Sequence, residues 1–168
     1  MRVYVIRHAI AAERNRRRWP DDAERPLTAH GERKFRRLAR ELGKVVGRVD
    51  RLYTSPLRRT RQTAALLRRA GGWPKAREAP VLAPGGGAAQ VLALVKRERC
   101  KRIALVGHEP DLTALLAHML AGPRAQFSGA LEKGAVACLN FEGRVRAGAA
   151  HLEWLLTPRL ARKLRRAR

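Results

Sequence analysis

The sequence predicts an α/β fold, a three-layer α/β/α sandwich around a mostly parallel sheet. Short apolar segments alternate with longer segments of helical periodicity, which is the pattern of strand–helix–strand units. Residues 103–106 are continuously apolar, as expected of a strand buried in the middle of a parallel sheet. No helix is predicted between the last two strands, so we expect one of them to run antiparallel.

The N-terminal part is predicted to contain a strand, a loop and a helix. Residues 2–6 are mostly β-branched or aromatic, which favours a strand that starts almost at the N-terminus. Residues 9–27 are polar and contain two prolines, which favours a long loop. Thr28 can cap a following helix, which we expect to end near Leu42 because Gly43 is unfavourable within a helix.

The next helix is marked by a serine and a proline. Serine is a favoured cap and proline is favoured at the first helical position, so we interpret Ser55 as the cap before Pro56. The other predicted elements are a strand over 51–54, a helix to about Arg69, a loop over 80–87, a helix over 88–98, a strand over 102–106, a helix over 110–120, strands over 135–141 and 151–156, and a basic helical tail from Pro158 to the end.

Length and composition predict one folded domain. The chain has 168 residues, of which 45% are hydrophobic, so it can bury a substantial core. We expect this domain over residues 1–157 and a basic tail over 158–168. The apolar run from Val3 to Ile6 is too short for a signal peptide, and no run approaches the length of a membrane span. We therefore expect a cytoplasmic protein without membrane association, with a monomer as the default state.

The chain is strongly basic. It carries 37 Lys and Arg against 14 Asp and Glu, a formal net charge of +23. Such a charge attracts polyanions, including nucleic acid, polyphosphate, acidic membranes and phosphoproteins. The basic residues are spread over predicted helix surfaces, and aromatic residues suited to base stacking make up only 5% of the chain. We expect a solvated basic surface and no dedicated nucleic-acid site, with a non-catalytic polyanion-binding module as an alternative to an enzyme.

Arginine and histidine side chains follow three predicted strands. Arg7 and His8 follow the first strand, Arg59 lies shortly after the second, and His108 follows the strand at 102–106. Sites in open α/β sheets lie outside the carboxyl ends of the strands, so we expect these side chains to converge. Guanidinium groups match phosphate oxygens in pairs, and a neutral imidazole can attack phosphorus. With no Walker loop, dinucleotide fingerprint or zinc-helix motif, these residues favour phosphoryl transfer through a phosphohistidine, without a metal or cofactor.

These segments resemble the signature of the histidine phosphatase (phosphoglycerate mutase-like) superfamily. The resemblance is greatest to the short SixA-type phosphohistidine phosphatases, which share the compact length. One departure is Ala9, which stands where the family usually has glycine. The matching segments are Arg7-His8, Arg25-Pro26-Leu27-Thr28 with Gly31, Ser55-Pro56 with Arg59, Gln62 and Thr63, and Gly107-His108-Glu109-Pro110.

The resemblance implies a role for each matching position. His8 would accept the phosphoryl group, and Arg7, Arg59 and His108 would bind its three equatorial oxygens. The implied substrate is phosphohistidine on a protein, for example a histidine phosphotransfer domain. A small-molecule phosphomonoesterase of broad specificity is the alternative within the family. Two further positions, Arg25 and Thr28, would line the entrance, although Thr28 is explained equally well as a helix cap.

Glu109 has two possible roles. It follows His108 at the place where the acid-phosphatase branch of the superfamily has an acidic residue, so it could donate a proton to a leaving group. It could instead cap the helix that begins at Pro110, where the helix dipole favours a carboxylate. We favour the cap. The remaining histidines, His30, His118 and His151, do not follow strands at this edge, and we assign none of them to catalysis.

Overall fold

The computed structural model describes residues 1–166 and contains one six-stranded sheet with helices on both faces. None of the described helices is both long and apolar enough to cross a membrane. Residues 158–166 of the predicted basic tail form the last helix, and 167–168 lie outside the described residues.

The strands are β1 (Arg2–Arg7), β2 (Arg51–Thr54), β3 (Arg77–Glu78), β4 (Arg102–Gly107), β5 (Val136–Asn140) and β6 (His151–Leu156). The α-helices are α1 (Ala29–Val46), α2 (Arg58–Gly71), α3 (Ala88–Arg97), α4 (Asp111–Ala121) and α5 (Pro158–Arg166).

The sheet has the strand order β3-β2-β4-β1-β5-β6. The pairs β2–β3, β2–β4 and β1–β4 are parallel, whereas β5 runs antiparallel to both β1 and β6. The apolar strand β4 lies inside the sheet, and its residues 103–107 are fully buried. The predicted fold class is therefore confirmed. The one antiparallel strand is β5, which lies between β1 and β6.

Two hydrophobic cores, one on each face of the sheet, make the three layers. Alternate side chains of β1 point to opposite faces, as the pleat of a strand requires. Val3 and Val5 pack into the core shared with α3 and α4, while Tyr4 and Ile6 pack into the core shared with α1 and α2. The helix α5 packs beside α1, and its Ala161 contacts the second core.

Helix α1 is longer than the sequence predicts. It continues through Gly43 to Val46, and its C-cap residue Gly47 has a φ of 68°, in the left-handed region that favours glycine. The expected end near Leu42 is therefore wrong. A Cβ atom on Gly43 would lie 2.5 Å from the carbonyl oxygen of Gly71 in α2, so this glycine allows the two helix backbones to approach closely.

The start of α2 also differs from the prediction. The helix begins at Arg58, and its N-cap residue is Leu57, which makes no side-chain cap bond. Ser55 is fully buried before the helix, so its interpretation as the helix cap is wrong. The two-residue strand β3 and two short 3₁₀ helices, Asp22–Glu24 and Pro80–Leu82, lie in segments where the sequence predicts no regular element.

Candidate active site

The two central parallel strands deliver two histidines to one point. Arg7 at the end of β1 is in register with Gly107 at the end of β4, and the His8 amide donates to the Gly107 carbonyl at 3.2 Å. The ring centroids of His8 and His108 are 5.2 Å apart. His8 is only 6% exposed and His108 only 3% exposed. The predicted convergence of these histidines is therefore present in the structure.

The His8 ring is held as a neutral base. Its Nδ1 lies 2.7 Å from the carbonyl oxygen of Ala9, so Nδ1 carries the proton that this acceptor requires and Nε2 keeps its lone pair. Burial and the charges of Arg59 and Arg7 together lower the pKa of His8 to about 4, although the hydrogen bond to Ala9 acts in the opposite direction. The imidazole is consequently uncharged at neutral pH, as a nucleophile must be.

Arg59 is held by an acidic residue that the sequence analysis does not identify. Asp22 accepts from Arg59 twice, through its carboxylate at 3.1 Å from Nη2 and through its main-chain carbonyl at 2.8 Å from Nη1. The same carboxylate accepts from Nε of Arg25 at 2.8 Å. Burial acts to raise the pKa of Asp22, but the Arg25 hydrogen bond and the charges of Arg59 and Arg25 outweigh it and lower that pKa. Asp22 is therefore an ionised clamp for both arginines.

Arg7 is fixed by a segment from the far end of the chain. Its Nη1 donates to the carbonyl of Leu131 at 2.6 Å, and the Leu131 amide donates to Oε1 of Glu109 at 2.9 Å. The other oxygen of Glu109 accepts from the amide of Thr113 in the first turn of α4 at 3.3 Å. Burial lowers the pKa of Arg7, and the charge of Glu109 opposes that shift. The favoured role of Glu109 as a helix cap is thus visible, together with a second bond that positions Leu131.

His108 is paired with Ser55. The distance from His108 Nε2 to Ser55 Oγ is 2.8 Å, and both residues are buried. Burial lowers the pKa of His108 to about 3, with smaller contributions from electrostatic interaction with His8 and with the guanidinium of Arg59. The ring is neutral, and a Ser55 hydroxyl that donates to Nε2 leaves the proton on Nδ1. We assign this tautomer from the hydrogen-bond pattern.

Three of these side chains present buried polar atoms without a partner. Arg7 Nε, Arg59 Nε and His108 Nδ1 are enclosed, yet no acceptor within residues 1–166 bonds to them. Buried polar groups in proteins are almost always paired, so unpaired donors at a strand-end site mark where a ligand's acceptors belong. Two guanidinium N–H groups and one imidazole N–H are donors that suit the oxygens of a tetrahedral oxyanion.

The two positions expected at the entrance have different surroundings. Arg25 is buried and reaches the site through Asp22, and its Nη1 also donates to the Ala12 carbonyl at 2.7 Å. Thr28 caps α1, where its hydroxyl accepts from the Gly31 amide at 2.9 Å and donates to a main-chain carbonyl at 3.3 Å. Its hydroxyl is therefore committed to the main chain, which agrees with the interpretation as a cap.

Ala9 stands where the family usually has glycine, and the structure has room for its methyl group. The residue is 2% exposed, and its amide donates to Oγ1 of Thr63 in α2 at 3.1 Å. Its carbonyl is the acceptor for His8, so the methyl group leaves the orienting bond intact. This departure from the family pattern is therefore compatible with the orientation of the His8 ring.

Comparison with known proteins places the chain in a family. Residues 3–82 match the model of the histidine phosphatase superfamily (branch 1). The chain is also 31% identical over 160 residues to an uncharacterised protein of Picosynechococcus sp.. That alignment covers 94% of this chain and 96% of the relative.

Solved structures support the same assignment. The protein histidine phosphatase SixA, solved with tungstate, is similar with a TM-score of 0.81 and 25% identity, over 94% of this chain and 97% of that one. A phosphoserine phosphatase from Entamoeba histolytica shares the fold at a TM-score of 0.69 and 16% identity, over 95% of this chain and 98% of that one. The chain belongs to the histidine phosphatase superfamily, a family of phosphoryl-group hydrolases, and is SixA-like in its structure.

Proposed function

We propose that this chain removes the phosphoryl group from phosphohistidine on a protein, through a covalent phospho-His8 intermediate and without a metal ion. The observation that carries the substrate assignment is the commitment of both carboxylates near the site. Asp22 is bonded to two arginines, and each oxygen of Glu109 accepts a main-chain amide. Neither carboxyl group is available as a proton donor, so the substrate needs a leaving group that departs without one.

In the first step, the lone pair on Nε2 of His8 attacks the phosphorus atom. The other nitrogen of the substrate ring carries a proton taken from solvent. When the bond from phosphorus to the substrate ring breaks, the leaving nitrogen keeps the electron pair and the ring departs as neutral imidazole. Arg7 Nε, Arg59 Nε and His108 Nδ1 donate to the phosphoryl oxygens as charge develops on them. Removing one such donor typically lowers the rate by about 10²–10³-fold.

In the second step, water attacks the phosphorus of phospho-His8. The bond to Nε2 breaks, inorganic phosphate forms, and the water protons pass to phosphate and solvent. The hydrogen bond from Nδ1 to the Ala9 carbonyl holds the ring in one orientation through both steps. The ring therefore returns to its starting tautomer without rotation.

The leaving group distinguishes this reaction from phosphomonoester hydrolysis. A phosphomonoester leaves as an alkoxide and benefits strongly from a general acid. Phosphohistidine leaves as an imidazole, which is far less basic than an alkoxide and departs without one. A small-molecule phosphomonoesterase is the second candidate, and it would require Glu109 to release its main-chain partners and act as the acid.

All four residues that would hold the phosphoryl group come from one copy of the chain, so the proposed reaction needs no second subunit. The SixA-like relatives and the basic surface support a phosphorylated protein as partner. Cys100 and Cys138 are free thiols, which agrees with a cytoplasmic location.

The test is a rapid-quench experiment with a protein that carries radiolabelled phosphohistidine. We expect transient label on the chain that is lost in the His8→Ala variant and retained in His151→Ala, because His151 is an exposed residue of β6. Turnover without any trapped label would refute the covalent step. Steep salt-dependent binding without turnover, unchanged in His8→Ala, would favour the polyanion-binding module.

A second comparison tests the substrate class. We expect kcat/KM for phosphohistidine peptide to exceed that for sugar phosphates. In Glu109→Gln, both activities should change by the same small factor. The Glu109 side chain holds the amides of Leu131 and Thr113, and this structural role is the same for both substrates. A selective loss of phosphomonoester turnover would instead identify Glu109 as a general acid and favour the second candidate.

A further inference from the structure

A groove of about 320 Å³ lies between α1 and α5. Its polar wall carries the cationic side chains of Arg33, Lys34, Arg37 and Arg162. None of these four forms an ion pair with a described residue, and Glu41 is the one acidic residue that lines the groove. The charge of Glu41 is already offset by Lys44 at 3.3 Å. The groove is therefore a concave surface with uncompensated positive charge.

The floor of this groove is apolar. Among the lining residues, Leu38 and Pro158 are buried and Ala161 is half-buried, whereas the three arginines are exposed. A surface with an apolar floor and a basic rim complements an amphipathic helix that carries carboxylates at its edges. No Phe, Tyr or Trp is among the nine residues of its lining, so it lacks the stacking platforms of single-stranded nucleic-acid sites.

The groove leads toward the nucleophile. Lys34 and Pro158 also line a smaller recess, whose other walls include Ala9 and Gly134. Ala9 follows His8 directly, and the Gly134 amide donates to the His8 carbonyl at 3.0 Å. A ligand seated in the groove therefore lies beside the segment that carries the proposed nucleophile.

We propose that the α1–α5 groove docks an acidic helix of the phosphoprotein substrate next to its phosphohistidine. This inference rests on the proposed function and adds the surface that would select a protein over a free phosphorylated small molecule. The groove residues act on binding and leave the phosphoryl chemistry at His8 unaltered. The uncompensated positive charge favours an acidic occupant, and the apolar floor between two helices favours the apolar face of an amphipathic helix.

The test uses two double variants of the same helix. Arg33→Gln with Arg37→Gln removes two charges that line the groove. Arg36→Gln with Arg40→Gln removes two exposed charges with the same spacing outside it, so both proteins lose the same net charge. The probe is a fluorescent helical peptide of about 20 residues, roughly 30 Å long, with an acidic face, a leucine face and one histidine.

Binding of the unphosphorylated peptide is measured by fluorescence anisotropy. Turnover is measured with the same peptide after phosphorylation by phosphoramidate, beside turnover of para-nitrophenyl phosphate. We expect the groove variant to raise both Kd and the peptide KM about tenfold, as loss of two ion pairs at a rim would. We expect its kcat, and its kcat/KM for para-nitrophenyl phosphate, to equal those of the wild type.

Three results would overturn the docking proposal. Equal weakening by both variants would mean that diffuse charge attracts the peptide, and no weakening by the groove variant would mean that it binds elsewhere. The third result is displacement of the peptide by duplex DNA, combined with a larger loss of DNA affinity than of peptide affinity when Arg33 and Arg37 are replaced. That result would assign the groove to nucleic acid. Failure of the proposed function has a different signature, because a chain that leaves phosphohistidine intact still reports groove binding through anisotropy.

Discussion

The carboxylate of Asp22 lies 3.1 Å from Nη2 of Arg59 and offsets part of its charge before any substrate binds. Two donors of this guanidinium are occupied by one residue of a short 3₁₀ helix, while its Nε is unpaired. Asp22 therefore orients Arg59 and at the same time competes electrostatically with a phosphoryl group for it.

We predict that Asp22→Asn binds an inert oxyanion more tightly. The amide keeps the size of the side chain and removes its negative charge, so the Kd for tungstate should fall about three- to tenfold. The measurement is calorimetric titration of the two proteins. Asp21→Asn is the matched control, because it removes the same charge one residue away and asparagine can still cap the short helix. A weaker tungstate complex in Asp22→Asn would mean that orientation of Arg59 outweighs charge competition.

We predict that Ser55→Ala lowers kcat roughly tenfold, as loss of an orienting hydrogen bond to a functional histidine does elsewhere. Without the hydroxyl, nothing holds Nε2 of His108 as an acceptor, and Nδ1 is no longer fixed as the donor to phosphate. Nitrogen NMR of the His108 ring should show a mixed tautomer. Ser128→Ala, at an exposed serine, should change neither quantity. An unchanged kcat with Nδ1 still protonated would remove Ser55 from the site.

We predict that the free energy of unfolding decreases as the pH is lowered from about 7 to about 5. His8 and His108 have native pKa values of about 4 and about 3, below the value of about 6.5 expected for an unfolded chain. The unfolded state therefore takes up protons in this range that the native state refuses. Each histidine contributes a slope of about 1.4 kcal/mol per pH unit once the pH is below about 6.

Urea unfolding at several pH values provides the measurement. His108→Asn should remove one histidine's share of the slope, whereas His30→Asn, at an exposed position, serves as the control. A slope that is the same in His108→Asn and wild type would show that the buried ring is charged in the native state.

We predict that Gly43→Ala destabilises the fold by about 1–3 kcal/mol, although alanine is the better helix former by about 1 kcal/mol. The new Cβ would lie 2.5 Å from the Gly71 carbonyl oxygen, so α1 and α2 must separate. Denaturant unfolding gives the free energy. Val45→Ala on the same helix, at a side chain that is 74% exposed, should stay within about 0.5 kcal/mol of wild type. A stabilised Gly43→Ala variant would indicate that the helices have room to adjust.

The parts of the site that strand ends deliver could be predicted from sequence. Arg7, His8 and His108 follow parallel strands directly, so the sheet fixes their edge as soon as the fold class is known. Ser55 follows β2 in the same way, but a serine before a proline is also a strong cap pattern, and that pattern favours the wrong role for its hydroxyl. The bond from Ser55 to His108 joins residues that are 53 positions apart, so no local sequence pattern indicates it.

Asp22 and the length of α1 depend on tertiary contacts. Asp22 lies in a loop, and its pairing with Arg59 spans 37 residues, so neither periodicity nor a motif indicates it. Gly43 disfavours a helix locally, but the close approach of α2 makes the absence of a side chain favourable there. In both cases the contact that decides the structure is made with a residue in another element, and local propensity does not describe such contacts.

The loop before β5 has a consequence for how the protein is made. The carbonyl of Leu131 holds Arg7 across 124 positions, and the Gly134 amide bonds to the carbonyls of both Arg7 and His8. During synthesis, the ribosome must therefore add most of the polypeptide before the earliest-made catalytic segment can be locked in place. A nascent chain halted at α4 would lack these bonds to the Arg7 side chain and to the carbonyls of Arg7 and His8, and should be inactive until translation resumes.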